Sequence, residues 1–126
     1  MKRILVILGH PSRDSFCHAL AEAYARAAAD AGAEVRTLLL GELNFDPILH
    51  EGYRVVQPLE PDLEQARGDI RWAEHLVFVY PSWWGGLPAL LKGFIDRVFL
   101  PGFGFKFHEG ALLPEKLLKG DRKSVV

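Results

Sequence analysis

Tyr80-Pro81-Ser82-Trp83-Trp84-Gly85-Gly86-Leu87-Pro88 is the stretch on which the fold turns. Ahead of it, residues 75–80 form a short β-branched and aromatic run, the pattern of a strand buried on both faces. Behind it, Pro88 suits a first helical turn, and Leu90, Leu91, Phe94, Ile95, Val98 and Phe99 repeat at helical spacing. The paired tryptophans therefore occupy a glycine-containing turn at the carboxyl end of a core strand, where open α/β sheets hold their ligands. Gly85 and Gly86 carry no side chains, so backbone N–H groups there can approach a flat ligand closely. Two indoles in a turn either plug a core or line a planar ligand, and this setting favours the planar ligand.

Working outward, residues 3–8 read as a first buried strand ending in Gly9-His10-Pro11. Residues 16–31 are alanine-rich, with Leu20, Ala23, Tyr24 and Ala27 on one stripe, a helix suited to close packing on a sheet. Ser15 precedes it as an N-cap, and Gly32 punctuates its end. Residues 34–40 form the second strand of a right-handed β-α-β unit. Residues 41–61 are irregular, with Phe45, Ile48 and Tyr53 expected to anchor them. Residues 62–73 form a shorter helix, in which Gly68 costs about 1 kcal/mol against alanine. After the tryptophan turn and the helix at 88–99 come an aromatic-glycine segment at 101–107, an amphipathic stretch at 113–118 and the opening of a fourth strand at 123–126. The expected architecture is a doubly wound parallel α/β sheet in the order 2-1-3-4(-5). Residues 1–126 are read as one domain that stops before its last strand and helix.

The composition excludes several classes. With 126 residues, 49% hydrophobic and 25% charged, the chain is an ordinary globular domain. A net charge of −1 gives no reason to expect nucleic acid or an anionic membrane as partner. The apolar start at residues 1–8 is too short for a signal peptide or a membrane span. Cys17 stands alone, so there is no internal disulfide and no multi-cysteine metal cluster. The expected location is cytoplasmic.

A second turn carries chemistry. Gly9-His10-Pro11-Ser12-Arg13-Asp14-Ser15-Phe16-Cys17 runs from the first strand into a helix start, whose N–H groups and positive dipole end favour an anion such as phosphate. Ser12 and Ser15 add hydroxyls, and His10 or Arg13 adds charge or a further donor. Asp14 would repel phosphate unless it faces water, and Ser15 reads equally as a plain cap. Glycine is too sparse for a dinucleotide fingerprint, and no Gly-Lys-Ser/Thr occurs. In the order 2-1-3, the first and third strands are neighbours, which would set a phosphate beside a flat ring.

His10 with Ser15-Phe16, the run from Pro81 to Phe99, and Gly102-Phe103-Gly104-Phe105 together resemble the flavodoxin-like NAD(P)H:quinone oxidoreductase family. The resemblance spans nearly the whole chain. It implies a non-covalent flavin, FAD or FMN, with His10, Ser15, Phe16 and Cys17 around the phosphates. It implies Pro81, Ser82, Trp83, Trp84 and Gly85 around the isoalloxazine ring. Gly86, Phe105 and Phe107 are the implied substrate-side contacts, the two phenylalanines roofing the flavin of a partner in a homodimer. Cys17 stands where relatives often carry asparagine. The loop that wraps the ring in relatives, and the Tyr and His beyond it in the vertebrate enzymes, lie past residue 126.

The implied activity is hydride transfer from NAD(P)H to flavin N5, then to a quinone, in a ping-pong exchange through one pocket. The protein's part is positioning and electrostatics, with backbone N–H groups at residues 84–86 stabilising negative charge on the reduced ring. No nucleophile or acid–base dyad is found. His18, His50, His75 and His108 lack metal-ligand spacing and read as surface or loop residues. Asp96 and Arg97 read as a structural ion pair and cap. The alternative is a flavin-binding electron carrier or an ancillary subunit of a potassium efflux system, although a carrier usually shows a strongly acidic docking face.

Overall fold

The computed structural model describes residues 2–99, together with the backbone of three short strands at 105–106, 115–116 and 121–125. Its elements in chain order are β1 (Arg3–Leu8), α1 (Phe16–Asp30), β2 (Glu34–Leu39), a 3-10 turn (Leu40–Glu42), α2 (Pro61–Trp72), β3 (His75–Val79) and α3 (Ala89–Val98). Beyond them lie β4 (Phe105–Lys106), β5 (Glu115–Lys116) and β6 (Asp121–Val125). The main sheet is parallel in the order β2-β1-β3-β6, while β4 and β5 form a separate antiparallel pair. The expected fourth strand at 123–126 is thus β6, paired with β3 from His75↔Asp121 to Val79↔Val125.

β1 is central and buried on both faces, so it reads as an unbroken apolar run rather than an alternation. Successive side chains point to opposite faces. Leu5 and Ile7 enter one core with Leu63, Ala66 and Ile70 of α2 and Leu91, Phe94 and Val98 of α3. Ile4, Val6 and Leu8 enter the other with Cys17 and Ala21 of α1 and Val77 and Val79 of β3. Each fully buried Leu, Ile, Val or Phe contributes about 1.5–3 kcal/mol from burial. This two-sided packing is what makes the sheet doubly wound.

α1 ends as its sequence predicts. Ala31 caps it, the Gly32 N–H donates to Ala29 O and the Ala33 N–H to Ala28 O, both at 3.0 Å. That is the Schellman pattern, and it places Gly32 at φ +96°, where glycine is favoured.

The connection at 41–60 departs from expectation in its anchors. Phe45 packs edge to face on Phe94, but Ile48 and Tyr53 are exposed. The anchoring is polar instead. Arg97, 1% exposed, donates to the Glu60 carboxylate at 2.8 Å and to the carbonyls of Asp46 and Pro58. Glu60 also accepts from the Asp46 N–H at 2.6 Å, and Asp46 holds His50 Nε2 at 2.7 Å. Asp96 pairs with Lys92 rather than with Arg97. His75, expected on the surface, is buried at the start of β3, where it lies between Ile4 of β1 and Asp121 of β6.

Candidate functional site

β1 and β3 run in parallel register, Leu8 beside Val79, so both chains leave the sheet at the same edge. The Gly9 N–H donates to Val79 O at 2.8 Å and extends that pairing by one residue. A Cβ at Gly9 would sit 2.9 Å from Leu91 Cδ2 and 3.1 Å from Tyr80 Cβ, so Gly9 is packed closely between β3 and α3. The turn after β1 and the turn after β3 are thereby pressed together.

In the first turn, the Ser12 N–H donates to His10 Nδ1 at 3.0 Å, which assigns the ring proton of a neutral imidazole to Nε2. Ser12 Oγ accepts from the Asp14 N–H at 3.1 Å, leaving its own hydroxyl hydrogen to donate elsewhere. Ser15 is differently placed: its hydroxyl donates to Ser12 O at 2.9 Å and accepts from the His18 N–H at 3.1 Å. It is the N-cap in full, and its donor is already in use. The Ala19 N–H goes to Ser15 O, so helix geometry leaves the N–H groups of Phe16 and Cys17 for an anion. Asp14 is exposed, so its carboxylate faces water. Arg13 pairs with Glu42 at 3.1 Å.

Phe16 and Cys17 face opposite ways. Phe16 is exposed, whereas the Cys17 side chain packs into the core beneath α1, and burial pushes its thiol pKa up. The backbone N–H of Cys17, not its side chain, is what this turn presents.

The second turn is a two-residue hairpin. Trp83 and Gly86 exchange both N–H···O bonds at 3.1 Å, with Trp84 at φ +56° and Gly85 at φ +72° between them. Positive φ at both central residues is the type I′ turn. For tryptophan this conformation costs on the order of 1–2 kcal/mol, and Trp84 recovers nothing by burial, being 105% exposed. Strain held on an exposed aromatic points to a ligand or partner rather than to the core. The turn's own bonds engage the N–H groups of Trp83 and Gly86, so those of Trp84 and Gly85 lie outside that bonding. The sequence expectation for residues 84–86 narrows to these two.

Trp83 is 45% exposed and meets the His10 ring edge to face, with centroids 5.4 Å apart and planes at 74°. His10, Ser15, Phe16 and Cys17 are therefore gathered beside Pro81, Ser82, Trp83, Trp84, Gly85 and Gly86 along one edge of the sheet. Phe105 and Phe107 fall outside the residues whose side chains are described. A helix start with the Phe16 and Cys17 N–H groups unused within the helix lies next to an exposed indole turn, with open space above Gly85 where nothing lies within 4 Å of a Cβ. Among the described residues, no group of His, Cys, Asp or Glu could hold a metal ion, and no helix is long and apolar enough to cross a membrane.

Sequence reasoning missed the 3-10 turn. Gly41 abuts Pro11 and Glu42 holds Arg13, and both follow directly from β2 ending at the same edge as β1, Leu8 beside Leu39. The parallel order alone could have pointed there.

A family model described as flavodoxin-like fold matches residues 2–126. An uncharacterised NAD(P)H oxidoreductase of Haemophilus influenzae is 38% identical over 110 residues, covering 84% of this chain and 54% of that protein. Among solved structures, the NAD(P)H:quinone oxidoreductase of Methanothermobacter marburgensis superposes with a TM-score of 0.80 at 29% identity, over 98% of this chain and 64% of that one. The apo form of an NADH:FMN oxidoreductase superposes with a TM-score of 0.60 at 30% identity, over 82% of this chain and 52% of that one. The chain spans less than two thirds of the length of each.

Proposed function

This chain belongs to the flavodoxin-like family, and from that premise we propose that it is the flavin-binding domain of an NAD(P)H:quinone oxidoreductase. The observation that carries the reading is the His10–Trp83 contact, which joins an anion-binding helix start to an exposed indole turn. The names of its relatives, which specify NAD(P)H, quinone and FMN, support the same reading.

Bound there, FMN or FAD supplies reversible hydride acceptance between a nicotinamide and a quinone, in ping-pong alternation through one pocket. The chain's residues do the rest. The N–H groups of Phe16 and Cys17 and the Ser12 hydroxyl hold phosphate, assisted by the dipole of α1. His10 and Trp83 brace each other and fix the spacing of the two turns that would hold phosphate and ring. Pro81 and Ser82 set the approach to the hairpin, whose Trp84 and Gly85 N–H groups meet a polar ring edge and stabilise negative charge there. The exposed Trp84 indole keeps water from one side of the ring, while Gly86 leaves room for a stacked substrate. Phe105 and Phe107 are assigned to the roof over the site of a second copy, in a homodimer. A cytoplasmic location belongs to the same proposal.

The absorbance spectrum of the purified protein, with chromatography of the heat-released flavin, tests cofactor binding and separates FMN from FAD. Steady-state oxidation of NADH or NADPH with a quinone tests the activity. Bound flavin without turnover would favour the carrier reading, and absence of flavin would remove both.

A further inference from the structure

We propose that Gly41, in the 3-10 turn that follows β2, is a positioning residue for the phosphate-binding turn at residues 9–15. The proposal rests on the flavin reading above and adds a residue to that site. A Cβ at Gly41 would lie 2.5 Å from the Pro11 carbonyl oxygen, 2.9 Å from Pro11 Cα and 3.0 Å from the Pro11 carbonyl carbon. Carbon atoms in contact prefer about 3.5–4.0 Å, and all three neighbours are backbone, so no side chain can swing away. Gly41 is not among the glycines of positive φ. Space, not backbone conformation, is what requires glycine here.

The turn that carries Gly41 is fixed from below. Leu40 is completely buried, and the Leu43 N–H closes the turn on Leu40 O at 3.2 Å. From this base Gly41 presses on Pro11, and Glu42 ties Arg13 at 3.1 Å. On the far side of the same loop, Gly9 is pinned against Leu91 and His10 against Trp83. The phosphate turn is therefore wedged between α3, the indole hairpin and the 3-10 turn, and none of the three contacts needs a ligand. Pro11 leads directly into Ser12, whose N–H holds His10 and whose carbonyl accepts from Ser15. A push on Pro11 passes to every side chain that orders the phosphate donors. Donors held in place before binding spare the ligand the entropy of ordering them.

The test uses the full chain, with FMN and riboflavin as probes, because they differ by the phosphate alone. The parent protein should bind FMN more tightly than riboflavin. Gly41→Ala should cut that FMN-to-riboflavin affinity ratio about tenfold while leaving riboflavin affinity within about threefold, since one lost charge-assisted contact corresponds to that order of change. Ile70→Ala is the control: its side chain is buried near the end of α2, just before β3 begins, and so at the opposite end of the sheet from the phosphate turn. It should lower the thermal midpoint of the apo protein and leave the ratio unchanged.

A ratio that Gly41→Ala leaves at the parent value, or that Ile70→Ala lowers as much, overturns the proposal. If Gly41→Ala does not fold, Leu40→Val carries the test by loosening the buried base from which Gly41 reaches Pro11 without altering any charge. A fall of about twofold to threefold in the ratio supports the proposal, and no change overturns it. A parent that binds neither flavin refutes the flavin reading itself, and one that binds both equally refutes the phosphate turn. Either result removes the positioning role as well, so the failures are told apart by the parent alone.

Discussion

His10 and Trp83, 73 residues apart in the chain, meet edge to face with ring centroids 5.4 Å apart. Neither ring belongs to a named strand or helix; each lies in the connection that follows the strand delivering it. An edge-to-face pair of this kind contributes about 0.5–1.5 kcal/mol beyond burial, enough to keep two loops in register. The predictions below follow from what those loops hold.

Trp84 occupies the first central position of a type I′ turn, where asparagine is strongly preferred before glycine. Trp84→Asn is expected to stabilise the apo protein by about 0.5–1 kcal/mol, because the strain of a bulky residue at positive φ disappears. Flavin affinity should fall about tenfold or more with the loss of the indole. Chemical denaturation of the apo form and flavin titration check the two halves. A stability loss with unchanged affinity would place the indole in a structural role.

The two serines of the first turn should separate. Ser15 is the cap with both hydrogen-bonding functions in use, so Ser15→Ala should cost about 1 kcal/mol of stability. Ser12 has a hydroxyl hydrogen to give, so Ser12→Ala should weaken FMN binding severalfold and shift the thermal midpoint little. The reverse pattern, measured by melting and titration, would exchange their roles.

Stability should fall in acid through the Arg97 network. The Arg97 guanidinium, opposed by partial burial, holds the Glu60 carboxyl below its usual value of 4.5. Hydrogen bonds from the Ile48 N–H and from His50 similarly lower Asp46. Carboxyls with depressed native values contribute stability above the ordinary carboxylate range and lose it as pH falls through the depressed values. The unfolding midpoint should therefore drop from about pH 4.5 downward. Glu60→Gln should flatten that slope and cost about 2 kcal/mol at neutral pH, since Arg97 is 1% exposed and loses its carboxylate. An acid slope identical in the variant would locate the sensitivity elsewhere.

Phe16, Trp83 and Trp84 place three exposed aromatics on one edge of the described fold. Apolar patches of this kind mark contact surfaces, and a two-fold pair is the commonest way to cover one. Light scattering on the full-length protein should return twice the chain mass. A monomer that oxidises NAD(P)H with quinone at the same rate would end the shared-site model.

What could be read from the sequence was local. Ile4 to Leu8, Ser15, Gly32 and the tryptophan turn each announce themselves within a few residues, because burial on both faces, a cap, a left-handed exit and a glycine hairpin leave short-range patterns. What escaped was either relational or conformational. Arg97 finds Glu60 across 37 residues and Gly41 finds Pro11 across the sheet edge, and no periodicity encodes such a meeting. Trp84 at positive φ contradicts the usual preference of its residue type, and Ser15 could be told from Ser12 only by where each hydroxyl points.

β1 pairs on one side with β2 and on the other with β3, yet α2 and the long connection intervene before β3 is reached. On the ribosome, the first β-α-β unit emerges with one side of β1 unclaimed. Ile4 to Leu8 then present bare amides and carbonyls until residues 75–79 are translated, an interval of about 2–7 seconds at ordinary elongation rates. An unpaired apolar edge is the form in which strands join the wrong neighbour, so this window is when the nascent chain is most open to mispairing.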